Sequence, residues 1–148
     1  EKLKAQGGVY FETEGKNKYF YLNLENIETK SLLLQSETQQ TINFQKKYPF
    51  FKTFLKEINT NVTIIIFGSY AKLTADKNSD IDLLIISTKK IELPTHLIPN
   101  KFHEIYISED NFIKSEEIFI KKVEENHIIL NNHSFFVDWM WRKHAKRH

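Results

Sequence analysis

The sequence predicts an α/β (α+β) fold with a short mixed sheet flanked by helices, and three observations predict it. Residues 62–67 (VTIIIF) form an unbroken apolar run of the kind found in strands buried on both faces, and Gly68-Ser69 ends it. Residues 80–87 (DIDLLIIS) repeat the pattern with their only charges at the start. Residues 102–108 (FHEIYIS) read as a third strand, and the stretches around these runs carry apolar residues at helical spacing.

The elements follow in order. Residues 9–24 (VYFETEGKNKYFYLNL) hold two aromatic and β-branched runs around a Glu-Gly-Lys-Asn-Lys centre, where Gly15 and Asn17 can take the positive φ of a tight turn. This is a β-hairpin with a basic tip. From Ser31 to Lys47 polar residues dominate, while Leu32, Leu33, Leu34, Ile42 and Phe44 line one helical stripe. Pro49 suits the first turn of a second helix carrying Phe50, Phe51, Phe54, Leu55 and Ile58. After the first buried strand, Ser69 is expected to cap a short helix through Leu73, followed by a polar loop (TADKNS) and the second strand. Pro94 and Pro99 bracket a loop before the third strand. Ser108 is expected to cap one helix through about Glu125, with Phe112, Ile113, Phe119, Ile120 and Val123 as its apolar positions. Residues 127–130 (HIIL) read as a short strand, and Ser134 opens a last helix rich in Phe, Trp and Met.

Composition narrows the class. A chain of 148 residues, 41% hydrophobic and 27% charged, suits one globular domain plus a small appendage and is neither disordered nor collagenous. It has no cysteine, which removes thiol nucleophiles and cysteine-ligated zinc and suits a reducing compartment. At this length the core needs no metal to hold it together, so a metal is expected to be catalytic. No apolar run reaches the roughly 20 residues that cross a bilayer, and no signal peptide opens the chain, so a cytoplasmic protein without membrane contact is expected. The first residue is Glu1 and the opening reads as the middle of a longer element, so the N-terminus is expected to be truncated. The net charge is +2, yet Arg142, Lys143, Lys146 and Arg147 sit in the last seven residues, leaving 17 of the 21 Lys and Arg to face 19 Asp and Glu. The body is mildly acidic and the basic tail reads as a solvated terminus.

Two carboxylates carry the chemistry. In a strand, residues i and i+2 point to one side, about 6.5–7 Å apart along the chain, so Asp80 and Asp82 project together. At the end of an apolar strand they repel one another and lose hydration unless a cation joins them. Such a pair suits Mg2+, or Mn2+, which favour carboxylate and phosphate oxygens. Gly68-Ser69 supplies the other half: a strand that ends in glycine and turns into a helix leaves free backbone N–H groups for an anion, and the Ser69 hydroxyl can bond a phosphate oxygen. Either feature alone is common. Two such features, each attached to an apolar strand and eleven residues apart, point to metal-assisted phosphoryl chemistry.

The run IIIFGSYAKLTADKNSDIDLLII closely resembles the signature of the polymerase-β-like nucleotidyltransferase superfamily, especially its minimal nucleotidyltransferase domains. The resemblance covers roughly residues 62–108. It implies that Gly68 and Ser69 hold the triphosphate, that Lys72 stands at the basic position of the nucleotide site, and that Asp80 and Asp82 bind metal ions. Leu73 stands where many members have glycine. The family's third carboxylate lies on a later strand, and Glu104 is the acidic residue inside the third strand, so it is the expected third catalytic and metal-binding group. Alternation puts Glu104 on one face with Phe102 and Tyr106, and His103, Ile105 and Ile107 on the other.

A second resemblance covers the opening. EKLKAQGGVYFETEGKNKYFYLNLEN is similar to the end of a recognition helix and the wing of a winged helix-turn-helix module, which is fused ahead of minimal nucleotidyltransferase domains in archaeal proteins. It implies that Lys16 and Lys18 touch DNA phosphates. Together the two resemblances imply a winged-helix remnant over residues 1–28, a linker helix over 29–48 and a nucleotidyltransferase domain over 49–148. The implied function is metal-dependent transfer of a nucleoside monophosphate from a nucleoside triphosphate to a hydroxyl on a protein, an RNA or a small molecule. The alternative is a non-catalytic or antitoxin-like DNA-binding regulator whose nucleotidyltransferase domain senses nucleotide or binds a partner. His96, His103, His127, His133, His144 and His148 are scattered with no His-x-x-x-His pair on one face, so zinc is not expected. Trp139, Met140 and Trp141 read as core or partner-facing hydrophobes.

Overall fold

A computed structural model of the chain describes the backbone of residues 4–6, 9–14, 17–22 and 27–145 and the side chains of residues 28–144. Its contacts divide it into two units, Glu1–Ser36 with Ser134–His148, and Glu37–His133.

The first unit contains an antiparallel sheet of β1 (Lys4–Gln6), β2 (Val9–Glu14) and β3 (Asn17–Leu22), in the order β1-β2-β3. The expected hairpin is β2 and β3, paired from Val9 with Leu22 to Glu14 with Asn17. The segment that resembles the end of a recognition helix is different: Lys4–Gln6 is extended and pairs with Phe11, Tyr10 and Val9. Lys16 lies outside the described residues, and Lys18 stands opposite Thr13 in the ladder. The long helix α1 (Ile27–Lys47) opens in this unit and runs on into the second. Glu28 in its first turn and Lys46 and Lys47 in its last complement the helix dipole.

The unit also holds most of the last helix, which begins at His133. In that helix Phe136 packs its ring 5.3 Å from Trp139, and both are buried. Lys30 forms an ion pair with Asp138, which Arg142 also approaches at 3.3 Å. The hydrogen bond from Lys30 holds the Asp138 carboxyl below its usual range. The Lys30 ammonium lies 5.7 Å from the Trp141 ring centre. Trp139 is thus a core residue, while Trp141 is half-buried.

The second unit is built on a four-stranded mixed sheet of β4 (Thr63–Phe67), β5 (Ile81–Ile86), β6 (Phe102–Ile107) and β7 (Ile128–Asn131), in the order β6-β5-β4-β7. β4 is antiparallel to both β5 and β7, while β5 and β6 are parallel. The two central strands are buried on both faces, which is why their sequences are continuous apolar runs. One face carries Ile64, Ile66, Ile81, Leu83 and Ile85 and packs into a cluster with Phe44 of α1 and with Phe51 and Phe54 of α2 (Phe51–Lys56). Tyr70 joins them, its ring 5.6 Å from that of Phe51. The other face carries Ile65, Leu84, Ile86 and Ile129, all buried.

A short helix α3 (Gly68–Ala71) follows β4, a 3-10 turn (Thr95–Leu97) lies between the two prolines, and α4 (Glu109–Lys114), α5 (Ile118–Glu125) and α6 (His133–Ala145) complete the chain. The single helix expected from Ser108 to about Glu125 is therefore two. Ser108 does cap the first, accepting from Asn111 N at 3.1 Å. The chain then turns extended at Ser115 and Glu117, with Glu117 N donating to the Ser115 hydroxyl at 3.3 Å, so a side chain competes with the helical ladder.

A buried polar network ties α1 to this sheet. His127 and Glu37 meet through Nε2 and Oε2 at 2.9 Å, and Thr41 donates to Ile129 O at 2.7 Å while lying 2.8 Å from His133 Nε2. Phe51 is the test of the apolar cluster: it is fully buried, so Phe51→Ala is expected to cost about 3–5 kcal/mol in urea unfolding. A loss below about 1 kcal/mol would show that the cluster does not hold this unit together.

Candidate nucleotide and metal site

The site forms where β4 ends. Antiparallel pairing sets Phe67 opposite Asp82, so the residue after Phe67 arrives beside the Asp82 carboxylate. That residue is Gly68, at φ +71°, a backbone conformation that side chains disfavour. A Cβ at this position would run into Asp82 Oδ2 and lie 3.3 Å from Asp82 Cγ. Glycine is required here twice, by the torsion and by the close approach. The turn starts α3 directly, with Phe67 as its N-cap residue and without a side-chain cap. Ser69 therefore does not cap the helix, as its position after a strand suggested. It lies inside the first turn, half-buried, and its carbonyl accepts from Thr74 N at 3.0 Å.

Lys72 is the exposed residue that ends α3, its N–H donating to Gly68 O at 3.1 Å. Leu73 follows at φ 61°, a left-handed conformation that a leucine holds less easily than a glycine would.

The loop from α3 to β5 is held from behind. Asn100 Nδ2 lies 2.9 Å from Ser79 O and 3.0 Å from both Lys77 O and the Tyr70 hydroxyl oxygen, and the Tyr70 hydroxyl donates to Asp76 O at 3.3 Å. One amide thus connects the glycine-serine helix, the loop and the residue before Asp80.

Asp80 and Asp82 flank Ile81, which is fully buried, and share the opposite side of the strand, as alternation requires. Asp82 is the less exposed, with 28% of its side chain accessible against 48% for Asp80. Burial pushes the Asp82 carboxyl above its ordinary value; His103 pulls it down and Asp80 pushes it up again.

Glu104 is not brought to this pair. The parallel ladder sets Asp82 against His103 and Leu83 against Glu104, so Glu104 shares a face with Leu83, across the sheet from the aspartates. The side chain beside the aspartates is His103, with Nε2 3.3 Å from Asp80 Oδ2 and Nδ1 3.6 Å from Asp82 Oδ1. The sequence placed His103 and Glu104 on opposite faces of one strand. Only the register of β6 against β5 decides which of them meets Asp82.

Among the described residues no group of three or more His, Cys, Asp or Glu side chains is placed to hold a metal ion. The donor chemistry nevertheless fits one. Two adjacent carboxylates, one of them disfavoured in its charged form by burial, gain from a divalent cation.

The profile of the nucleotidyltransferase domain matches residues 50–136, more than half of the chain. No curated protein matches it. A crystal structure described as the toxin-antitoxin with AMP-PNP is similar at 13% identity and a TM-score of 0.39, covering 67% of this chain and 90% of that one.

Two variants test the geometry without a ligand. Gly68→Ala meets both the torsional penalty and the Asp82 carboxylate, so a loss of at least about 1–2 kcal/mol is expected in urea unfolding. Asp82→Asn should act in the opposite direction. Because the folded carboxyl titrates above its unfolded value, the folded state holds more protons in that interval, and stability falls as pH rises through it. At neutral pH the cost is fully present, so Asp82→Asn should be at least as stable as the parent, and the difference should vanish in acid.

Proposed function

The chain belongs to the nucleotidyltransferase domain family, and from that premise we propose that it moves a nucleoside monophosphate from a nucleoside triphosphate to a hydroxyl acceptor. The observation that supports this reading is the packing of Gly68 against the Asp82 carboxylate, which brings the Gly68-Ser69 turn and the aspartate pair together. In this reading residues 1–28 are the winged-helix remnant, 29–48 the connecting helix and 49–148 the transferase domain.

Gly68 and Ser69 receive the triphosphate through backbone N–H groups and the Ser69 hydroxyl, and Lys72 adds a positive charge at the end of the same helix. Asp80 and Asp82 hold Mg2+ or Mn2+, which when bound neutralises phosphate charge and polarises the reacting phosphoryl group. The acceptor oxygen bonds to the α-phosphorus, the bond to the β-phosphate oxygen breaks, pyrophosphate leaves and the hydroxyl proton passes to solvent. The protein's part is to align the two reactants and balance charge. The acceptor is a protein side chain, an RNA end or a small molecule.

A second reading is favoured by one observation: the side chain beside the aspartates is an imidazole and not a third carboxylate. In that reading the domain binds nucleotide or a partner protein without turnover and acts as an antitoxin-like regulator, with Lys16 and Lys18 contacting DNA phosphates. Labelled nucleoside triphosphate incubated with the protein, Mg2+ and lysate separates the two, since a labelled acceptor and released pyrophosphate arise only from transfer.

The transfer reading, and the second reading where the domain binds nucleotide, require a site that needs metal and nucleotide together. At a hundred times its dissociation constant, Mg2+–nucleoside triphosphate should stabilise the parent by about 2.7 kcal/mol in thermal unfolding. Asp82→Asn should lose most of this gain. An equal gain in the variant would place the nucleotide elsewhere.

A further inference from the structure

We propose that His103 is a ligand of the bound ion and that its imidazole makes the site select a first-row transition ion, such as Mn2+ or Co2+, over Mg2+. The inference rests on the reading that Asp80 and Asp82 hold a divalent ion.

The geometry points to it on three counts. The β5–β6 ladder pairs His103 with Asp82, so the imidazole rises from the same face of the sheet as both carboxylates. Its two nitrogens lie 3.3 Å from Asp80 Oδ2 and 3.6 Å from Asp82 Oδ1, so the ring already borders the space between the carboxylates. With 46% of its side chain exposed the ring is not enclosed by packing, and ligation requires one nitrogen to leave its present carboxylate contact, since among the described residues no three such side chains are placed around a common ion. Glu104 does not compete for the position, because it stands opposite Leu83 on the other face.

The chemistry then follows from the donors. Mg2+ prefers an all-oxygen shell with several waters, and a site built from two carboxylates alone gives it little reason to yield to other ions. Adding imidazole changes the order, since nitrogen donors suit transition ions and affinities rise along the first row from Mn2+. A site with one imidazole and two carboxylates therefore favours Mn2+ and Co2+ over Mg2+.

Mn2+ alone, titrated into the full chain, tests this by electron paramagnetic resonance. Free Mn2+ gives the binding constant, competition by Mg2+ gives the preference, and pulsed measurement of nitrogen coupling shows whether imidazole is bound. The parent should prefer Mn2+ by about tenfold or more and show nitrogen coupling. His103→Ala should bind Mn2+ more weakly and lose the coupling. His103→Asp should keep Mn2+ binding, lose the coupling and bind Mg2+ with nearly equal affinity. Bound Mn2+ without nitrogen coupling in the parent, or tighter binding in His103→Ala, overturns the inference and leaves the two-aspartate site standing. Failure of the parent to bind Mn2+ more tightly than Asp82→Asn overturns both.

Discussion

The candidate site depends on the pairing of β4 with β5, which sets Phe67 against Asp82 and thereby seats Gly68 on that carboxylate. Two segments separated by a loop, the Gly68-Ser69 turn and the aspartate pair, become neighbours through main-chain hydrogen bonds between apolar strands. The strands in turn are held by burial: Ile64, Ile65, Ile66, Leu83, Leu84 and Ile85 are all inaccessible, so a slip of one residue would carry a buried row of side chains to the wrong face. The polar site is thus positioned by the least polar part of the chain.

The same dependence explains the electrostatics. Asp82 sits far enough into the sheet for burial to oppose its charge, and Asp80 two residues earlier adds repulsion. This arrangement costs stability, and a cation between the two carboxylates would relieve it. His103 offsets part of that cost from the neighbouring strand. Behind the site, Asn100 and Tyr70 fasten the loop that leads into Asp80, so the carboxylates are approached by an anchored segment.

Structure near the first strands and last helix follows other rules. Asp138 joins Lys30 and Arg142, Trp139 packs with Phe136, and Lys4–Gln6 pairs as a strand where the sequence resembles a helix end. Among the described residues no helix is long and apolar enough to cross a membrane.

Much of the architecture was legible in the order of residues. Unbroken apolar runs marked β4 and β5 because strands buried on both faces cannot alternate, and alternation placed Asp80 with Asp82 and separated Glu104 from His103. Gly68-Ser69 marked the turn, although Ser69 lies inside the helix because the chain turns helical at Gly68 itself. Three decisions were left to the folded state. The helix after Ser108 breaks because the Ser115 hydroxyl accepts a backbone N–H, a local competition that apolar spacing does not reveal. Leu73 takes a left-handed conformation at φ 61°, which its residue type does not announce. Above all, His103 rather than Glu104 meets Asp82, because Ile81 N donates to Lys101 O and Ser87 N to Ile107 O, each at 2.8 Å, and these bonds set the register at both ends of β6. A strand's own sequence determines its two faces; which face meets a neighbour's carboxylate is decided only when the ladder forms.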